Sequence, residues 1–324
     1  MLSTIVRRCL QTGLVVLLMS ALAFAGLYMV GDPVLMLASP EATDAQRELI
    51  RQHLGLHFPL WHQYFIFLSK AIQLDFGNSF LTGESAMRLI LERLPATLEL
   101  ATLAMLLSVL IGVPLGVYAG LKPDSTSARS IMTGSVLGFS LPNFWVGLML
   151  IMLFAVMLGW LPAGGRGPVQ SFWGLELSIF SWAGLKNLLL PAATIATAKC
   201  ALIIRVTRAA TRECLPQDYI KFARAKGLRE RRVLGVHLLK NIMIPIVTIA
   251  GLEYGQVFAF AVVTETVFSW PGMGKLLIDS IITLDRPVVV AYLMLTVVFL
   301  AMLNLVVDIG YSVLDPRVRL SGPA

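Results

Sequence analysis

Six long apolar runs limit what this 324-residue chain can fold into more than any other feature. They lie at 9–30, 96–120, 131–158, 187–205, 243–263 and 288–314. A helix needs about 20 apolar residues to cross the hydrocarbon core. In lipid the backbone has no water to bond to, so a spanning segment without strand partners must be helical. Composition agrees: 57% hydrophobic and 14% charged, against about 25% charged in soluble domains. The expected fold is all-α, a polytopic integral membrane protein of about six transmembrane helices forming one domain over 1–324. The aqueous segments are too short for a large soluble core.

The first run follows Arg7 and Arg8 and exceeds the usual h-region of a signal peptide, about 7–15 residues. It reads as a retained helix, with Ala21-Leu22-Ala23 and Ala23-Phe24-Ala25 leaving a cleavage site open as the rival. Residues 31–95 form an external polar segment with five Lys/Arg against seven Asp/Glu. Gly31-Asp32-Pro33 opens it as a turn, 45–53 and 60–74 read as helix, and Asp75-Phe76-Gly77-Asn78-Ser79 as loop. Gly112, Pro114 and Gly116 predict a bend or a close helix contact in the second span. Ser140-Leu141-Pro142-Asn143-Phe144 predicts a kink within the third. Placing the termini, 121–130 and 205–241 in the cytoplasm puts 16 Lys/Arg inside and 9 outside, with Lys199 within a span. The positive-inside bias supports that orientation. The net charge of +7 therefore reflects loops that face anionic lipid and a partner; nucleic acid is not expected.

The longest basic stretch beyond the first third is 217–245. Asp218 can cap a short helix starting at Tyr219, and Gly227 can end it. Tyr219, Phe222 and Ala223 share a face of that helix. A second amphipathic piece covers about 229–240, and Pro245 suits the first turn of the next apolar run. Two small surface helices between spans offer docking, not chemistry.

Asp218-Tyr219, then Ala223-Arg224-Ala225-Lys226-Gly227-Leu228, then His237, Asn241 and Pro245, resemble the cytoplasmic coupling loop of ABC-importer permeases. The branch is that of the peptide, glutathione and nickel permeases. The family-wide Glu-Ala-Ala-x-x-x-Gly signature is met only at Ala223 and Gly227, with Lys221 and Phe222 in the first two places. The resemblance covers nearly the whole chain: Leu54-Gly55-Leu56, Asp75-Phe76-Gly77, Trp160-Leu161-Pro162, Thr264-Glu265-Thr266 through Gly274, Asn304 to Asp308, and Asp315-Pro316-Arg317. One departure is Val30, where the family usually has Pro before Gly-Asp-Pro.

That resemblance implies a permease subunit in the bacterial inner membrane, multi-pass, with both termini cytoplasmic. It implies a second homologous permease, two ATP-binding subunits, an external solute-binding protein and contact with membrane lipid. The loop at 211–242, through Asp218, Tyr219, Phe222, Ala223, Arg224, Ala225, Lys226, Gly227 and Leu228, would couple it to the ATPase. Short peptides are the expected solute, with nickel or a metal chelate as the alternative.

The chain has no Walker A sequence. Pro271-Gly272-Met273-Gly274-Lys275-Leu276 lacks the Ser/Thr after Lys, so ATP hydrolysis is expected on other subunits. It also has no HExxH and no GxSxG, so it is not expected to be an enzyme or to carry a cofactor. Cys9, Cys200 and Cys214 have no CxxC spacing, and His53, His57 and His62 read as surface histidines rather than ligands. Glu99, Lys199, Glu253 and Asp308 fall at membrane depth, where a charge must face a cavity, a partner helix or another charge. Glu253 and Asn143 are candidates for the translocation path. For Glu253 a structural role, a hydrogen bond to a neighbouring helix or snorkelling, is an equal alternative, whereas a structural role is favoured for Lys199. An ion-coupled secondary transporter is the rival from another class; it would show an inverted repeat, and none is visible.

Overall fold

The computed structural model describes residues 2–29, 34, 41, 43–53, 56–172 and 174–314. The turn read at Gly31-Asp32-Pro33, the Leu54-Gly55 pair and the closing Asp315-Pro316-Arg317 lie outside the described residues, as does the Asp308 side chain. The chain divides into two compact units, residues 1–94 with 276–302, and 95–275 with 303–324. Among the described residues, four helices are long and apolar enough to cross a membrane, or five if one sharply bent pair is a single span.

In the first unit, α1 (Leu2–Met29) is a 28-residue helix whose described apolar stretch is Gly13–Gly26. α2 (Asp44–His53) opens on a capping box. Thr43 N donates to Gln46 Oε1 at 2.9 Å, and Gln46 N donates back to Thr43 Oγ1 at 3.4 Å, so two free amide donors are satisfied reciprocally. α3 (Leu60–Ile72) starts after Pro59 and lies along α1. There Ser20 and Tyr64 hydroxyls meet at 2.9 Å, and the Phe24 ring stands 5.4 Å from Tyr64 and 5.7 Å from Phe67. The loop after α3 is pinned by buried Asp285, whose carboxylate accepts from Ser79 Oγ and, at 3.1 Å, from Phe80 N.

α4 (Ala86–Leu121) is longer than the expected second span. It begins ten residues early and runs through Pro95, so the last part of the expected external segment is helix. Ala86, Met87 and Ile90 are buried on one face, and Arg88 pairs with Glu92 across one turn at 2.9 Å. Burial and the i,i+4 pair hold the helix through the proline.

The second unit holds the remaining spans except the last, most of which belongs to the first unit. α5 (Thr126–Ser140) is capped by Ser125, whose hydroxyl accepts from Ala128 N at 3.1 Å. α6 (Asn143–Met157) then departs at 106°. The expectation of one kinked span is thus corrected to a broken pair. Pro142 has no N–H to continue the ladder and pushes the residue before it out of the helical region; Leu141 sits at φ −79, ψ 135. The last seven residues of α6 are π-helical. The external loop that follows carries a small antiparallel hairpin, β1 (Gln170–Phe172) with β2 (Leu175–Leu177).

α7 (Trp182–Cys214) starts at Ser181, whose hydroxyl accepts from Gly184 N at 2.9 Å, and continues well past Arg205. It packs on α4 along a seam of small residues. A Cβ added at Gly112, Gly116 or Gly120 would lie 2.8, 2.5 or 2.6 Å from Ile203, Thr207 or Thr211. Between the two readings of Gly112 to Gly116, the structure selects close contact, and α4 stays continuous there. α8 (Asp218–Ala225) and α9 (Glu230–Phe260) follow.

Pro245 is interior to α9, not in a first turn, so the second amphipathic piece and the fifth span are one helix. Six residues at Val233–Leu238 are π-helical, and from just beyond this wide turn Asn241 Nδ2 donates to the His237 carbonyl at 2.6 Å. α10 (Val262–Val267), α11 (Met273–Ile282) and α12 (Arg286–Leu314) complete the order.

Two buried carboxylates fix the loops of this unit. Glu99 pairs with Arg166 Nη2 at 3.0 Å and accepts from Ile179 N. Glu265 accepts from Thr97 Oγ1 at 2.6 Å and from Lys275 N at 2.9 Å, while Met273 N donates to Thr97 Oγ1 at 2.8 Å. Burial pushes the Glu265 carboxyl up from its ordinary value, and these donors pull it back. Trp270 closes the cluster, its Nε1 donating to the Ala96 carbonyl at 2.9 Å.

Candidate functional site

α8 is short because both of its ends are chemically marked. Gln217, at φ −68, ψ 145, is the residue before it, not Asp218 as the sequence suggested; Gln217 makes no side-chain cap. Asp218 sits in the first turn, where negative charge suits the helix dipole, and pairs with Lys221 at 3.0 Å. The other end is a Schellman turn. Gly227 N donates to Arg224 O at 2.9 Å, and Leu228 N reaches back to Ala223 O at 3.4 Å. Gly227 has φ +71, which disfavours any residue with a Cβ.

Ile220 and Ala223 hold α8 down. They are buried with Val233, Leu238, Ile242 and Ile246, and Leu228 and Cys214 pack against the same cluster. Ile220 was missed in the sequence reading, although its i,i+3 spacing to Ala223 is an anchoring signal. Tyr219 and Phe222 point the other way, 40% and 61% exposed, and Lys226 Nζ lies 4.5 Å from the Phe222 ring centroid. They therefore do not share their environment with Ala223. Arg224 is engaged within the chain, through Nη2 to Glu230 Oε1 at 2.7 Å and Nε to Oε2 at 3.3 Å. Ala225 is exposed beside it. The result is a small helix glued by its apolar face to the start of a membrane-spanning helix, with an aromatic and basic face left open.

The path candidates fall elsewhere. Asn143 is exposed at the first position of α6, directly after the 106° break. Glu253 is half-buried in α9 and receives Lys199 Nζ from α7. Lys199 also reaches Gln256 Oε1 at 3.4 Å. A pairing across 54 positions has no local sequence signal; the sequence allowed these charges to face one another but singled out no pair.

Residues 112–320 match the family described as the binding-protein-dependent transport system inner membrane component. Residues 1–101 match the N-terminal part of the same membrane component. The chain belongs to this family. It is a multi-pass inner-membrane protein and a permease subunit of an ATP-binding-cassette importer, a transport subunit rather than an enzyme. The family member is 41% identical over 302 residues to the di/tripeptide transport system permease protein DppB of Pseudomonas aeruginosa (strain UCBPP-PA14), covering 89% of this chain and 90% of that one. It is 38% identical over 321 residues to the oligopeptide transport system permease protein AppB of Bacillus subtilis (strain 168), covering 98% and 100%. It is 37% identical over 320 residues to the glutathione transport system permease protein GsiC of Escherichia coli (strain K12), covering 98% and 99%. In fold it is similar to the inward-facing MetNI methionine ABC transporter, with TM-score 0.53 and 16% identity over 71% of this chain and 97% of that chain.

Proposed function

We propose that this permease forms part of the translocation path for short peptides, and that ATP hydrolysis on two separate subunits drives it through α8. It acts beside a second, homologous permease and receives its solute from an external binding protein. Its termini and the 211–242 loop lie in the cytoplasm. The observation that carries the reading is the two-faced α8: Ile220 and Ala223 are sealed against α9, while Tyr219 and Phe222 stay open. Exposed aromatics next to Arg and Lys are the composition expected of a docking hot spot. The peptide assignment rests on relatives named as permeases for di- and tripeptides and for oligopeptides.

The mechanism follows from the continuity of α9. A push on α8 passes through its packed apolar face rather than through a flexible linker, because interiors packed like crystals transmit strain. α9 runs unbroken from Glu230 to Phe260 and carries Glu253. Closure of the ATP-binding subunits would therefore tilt a rigid lever that carries the candidate path residue Glu253, and the solute would cross unmodified by alternating access.

The test is affinity purification in mild detergent, comparing wild type with Gly227→Glu. Wild type should bring down Walker A-containing subunits and a second permease, and the variant should lose the ATP-binding subunits. A well-folded wild type that comes down alone and moves solute without ATP would refute the reading in favour of an ion-coupled carrier. ATP-driven uptake of nickel but not of dipeptides would keep the machine and replace its cargo.

A further inference from the structure

Lys199 and Glu253 keep 19% and 14% of their side-chain surface open. Gln256, one turn further along α9, is exposed, and its amide oxygen lies 3.4 Å from Lys199 Nζ. At the same level of α9 the Tyr254 hydroxyl shares a hydrogen bond of 3.1 Å with Thr102 of α4. This is a polar patch within three apolar spans, and it is partly accessible. Turned to hydrocarbon, it would hold two charges and an amide in lipid, which membrane proteins avoid. A clasp serving only to join α7 to α9 would be sealed between them, and this one is not.

We propose that Lys199, Glu253 and Gln256 form a two-charge clasp in the solute path that recognises the zwitterion of a short peptide. Lys199 takes the α-carboxylate, Glu253 takes the α-ammonium, and Gln256 offers its carbonyl to the Lys199 ammonium when Glu253 is engaged elsewhere. The proposal rests on the peptide-import reading above. In the empty path the two side chains neutralise each other, so no uncompensated charge is left at membrane depth. When a zwitterion arrives, one internal charge-assisted bond is exchanged for two external ones between the same kinds of group. The gain is small by construction. A path needs that balance, since a solute held tightly would not leave.

The test uses the complete importer with its partner permease, ATP-binding subunits and binding protein, reconstituted in proteoliposomes. ATP-driven uptake is measured for L-alanyl-L-alanine, its N-acetyl form and its C-terminal amide. Glu253→Gln should erode the preference for the free dipeptide over the N-acetyl form by about tenfold, the worth of one charge-assisted bond, and leave the preference over the amide unchanged. Lys199→Gln should do the reverse. The binding protein is the same throughout, so its own selectivity cancels from each comparison, and co-purification of the ATP-binding subunits reports assembly.

If a neutral variant does not assemble, the exchanged pair Lys199→Glu with Glu253→Lys decides, because it keeps the attraction but reverses the order of charges. Assembly with uptake of the free dipeptide reduced about tenfold supports recognition, whereas wild-type uptake refutes it. Single variants that assemble and keep both wild-type ratios also overturn the clasp while leaving peptide import standing. Failure of the wild-type importer to take up any of the three forms overturns the peptide reading and the clasp together.

Discussion

Glu265 shows how much one side chain can organise. Its carboxylate accepts from the Thr97 hydroxyl and from the Lys275 amide, and Gly272 leaves room for it, since a Cβ there would stand 2.2 Å from Oε1. Both partners are donors, so the position requires an acceptor at each oxygen. Glu265→Gln turns an NH2 toward one of them. It should destabilise the permease by about 2 kcal/mol, the usual size for leaving a buried donor unpaired, read as a lowered midpoint of thermal unfolding in detergent. The sequence shows Glu265 only as part of the Thr264-to-Gly274 stretch that resembles the family. It does not mark Thr97, 168 positions away, because no periodicity links residues on different helices.

Among the elements, the α4–α7 seam makes the sharpest prediction. Gly116 faces Thr207, with 2.5 Å available to a Cβ, whereas nothing lies within 4 Å of a Cβ at Gly134 on α5. Gly116→Val should cost about 1–3 kcal/mol by overpacking and reduce the yield of monodisperse complex, while Gly134→Val should leave it unchanged. Gly112, Pro114 and Gly116 are visible in the sequence, but they are compatible with a bend as well as with a contact. The facing Ile203, Thr207 and Thr211 decide for contact. Pro142 is legible in the same way: its missing N–H announces an interruption, while the angle of 106° depends on what α5 and α6 each pack against.

For the whole molecule, the distinction that matters is between holding α8 and using it. Ile220→Ala removes a fully buried side chain and should destabilise by about 2–5 kcal/mol, lowering the unfolding midpoint. Phe222→Ala, at an exposed ring, should leave that midpoint unchanged and weaken association with the ATP-binding subunits by more than about tenfold, as expected of an interface anchor; titration of the purified subunits measures it. Equal effects of the two variants on stability would count against a docking face. The sequence by itself determined that this chain is built from membrane helices, where its basic loop lies, and that Gly227 ends a short helix there. Hydropathy, charge bias and turn chemistry are local properties, written within a window of about 20 residues. Only the tertiary structure decided that Lys199 meets Glu253, that Glu265 meets Thr97, that Pro245 lies inside a continuous helix, and which face of α8 is buried. Each of those depends on which surfaces approach across the fold, and the energy of such a contact exists only once distant residues are a few ångströms apart.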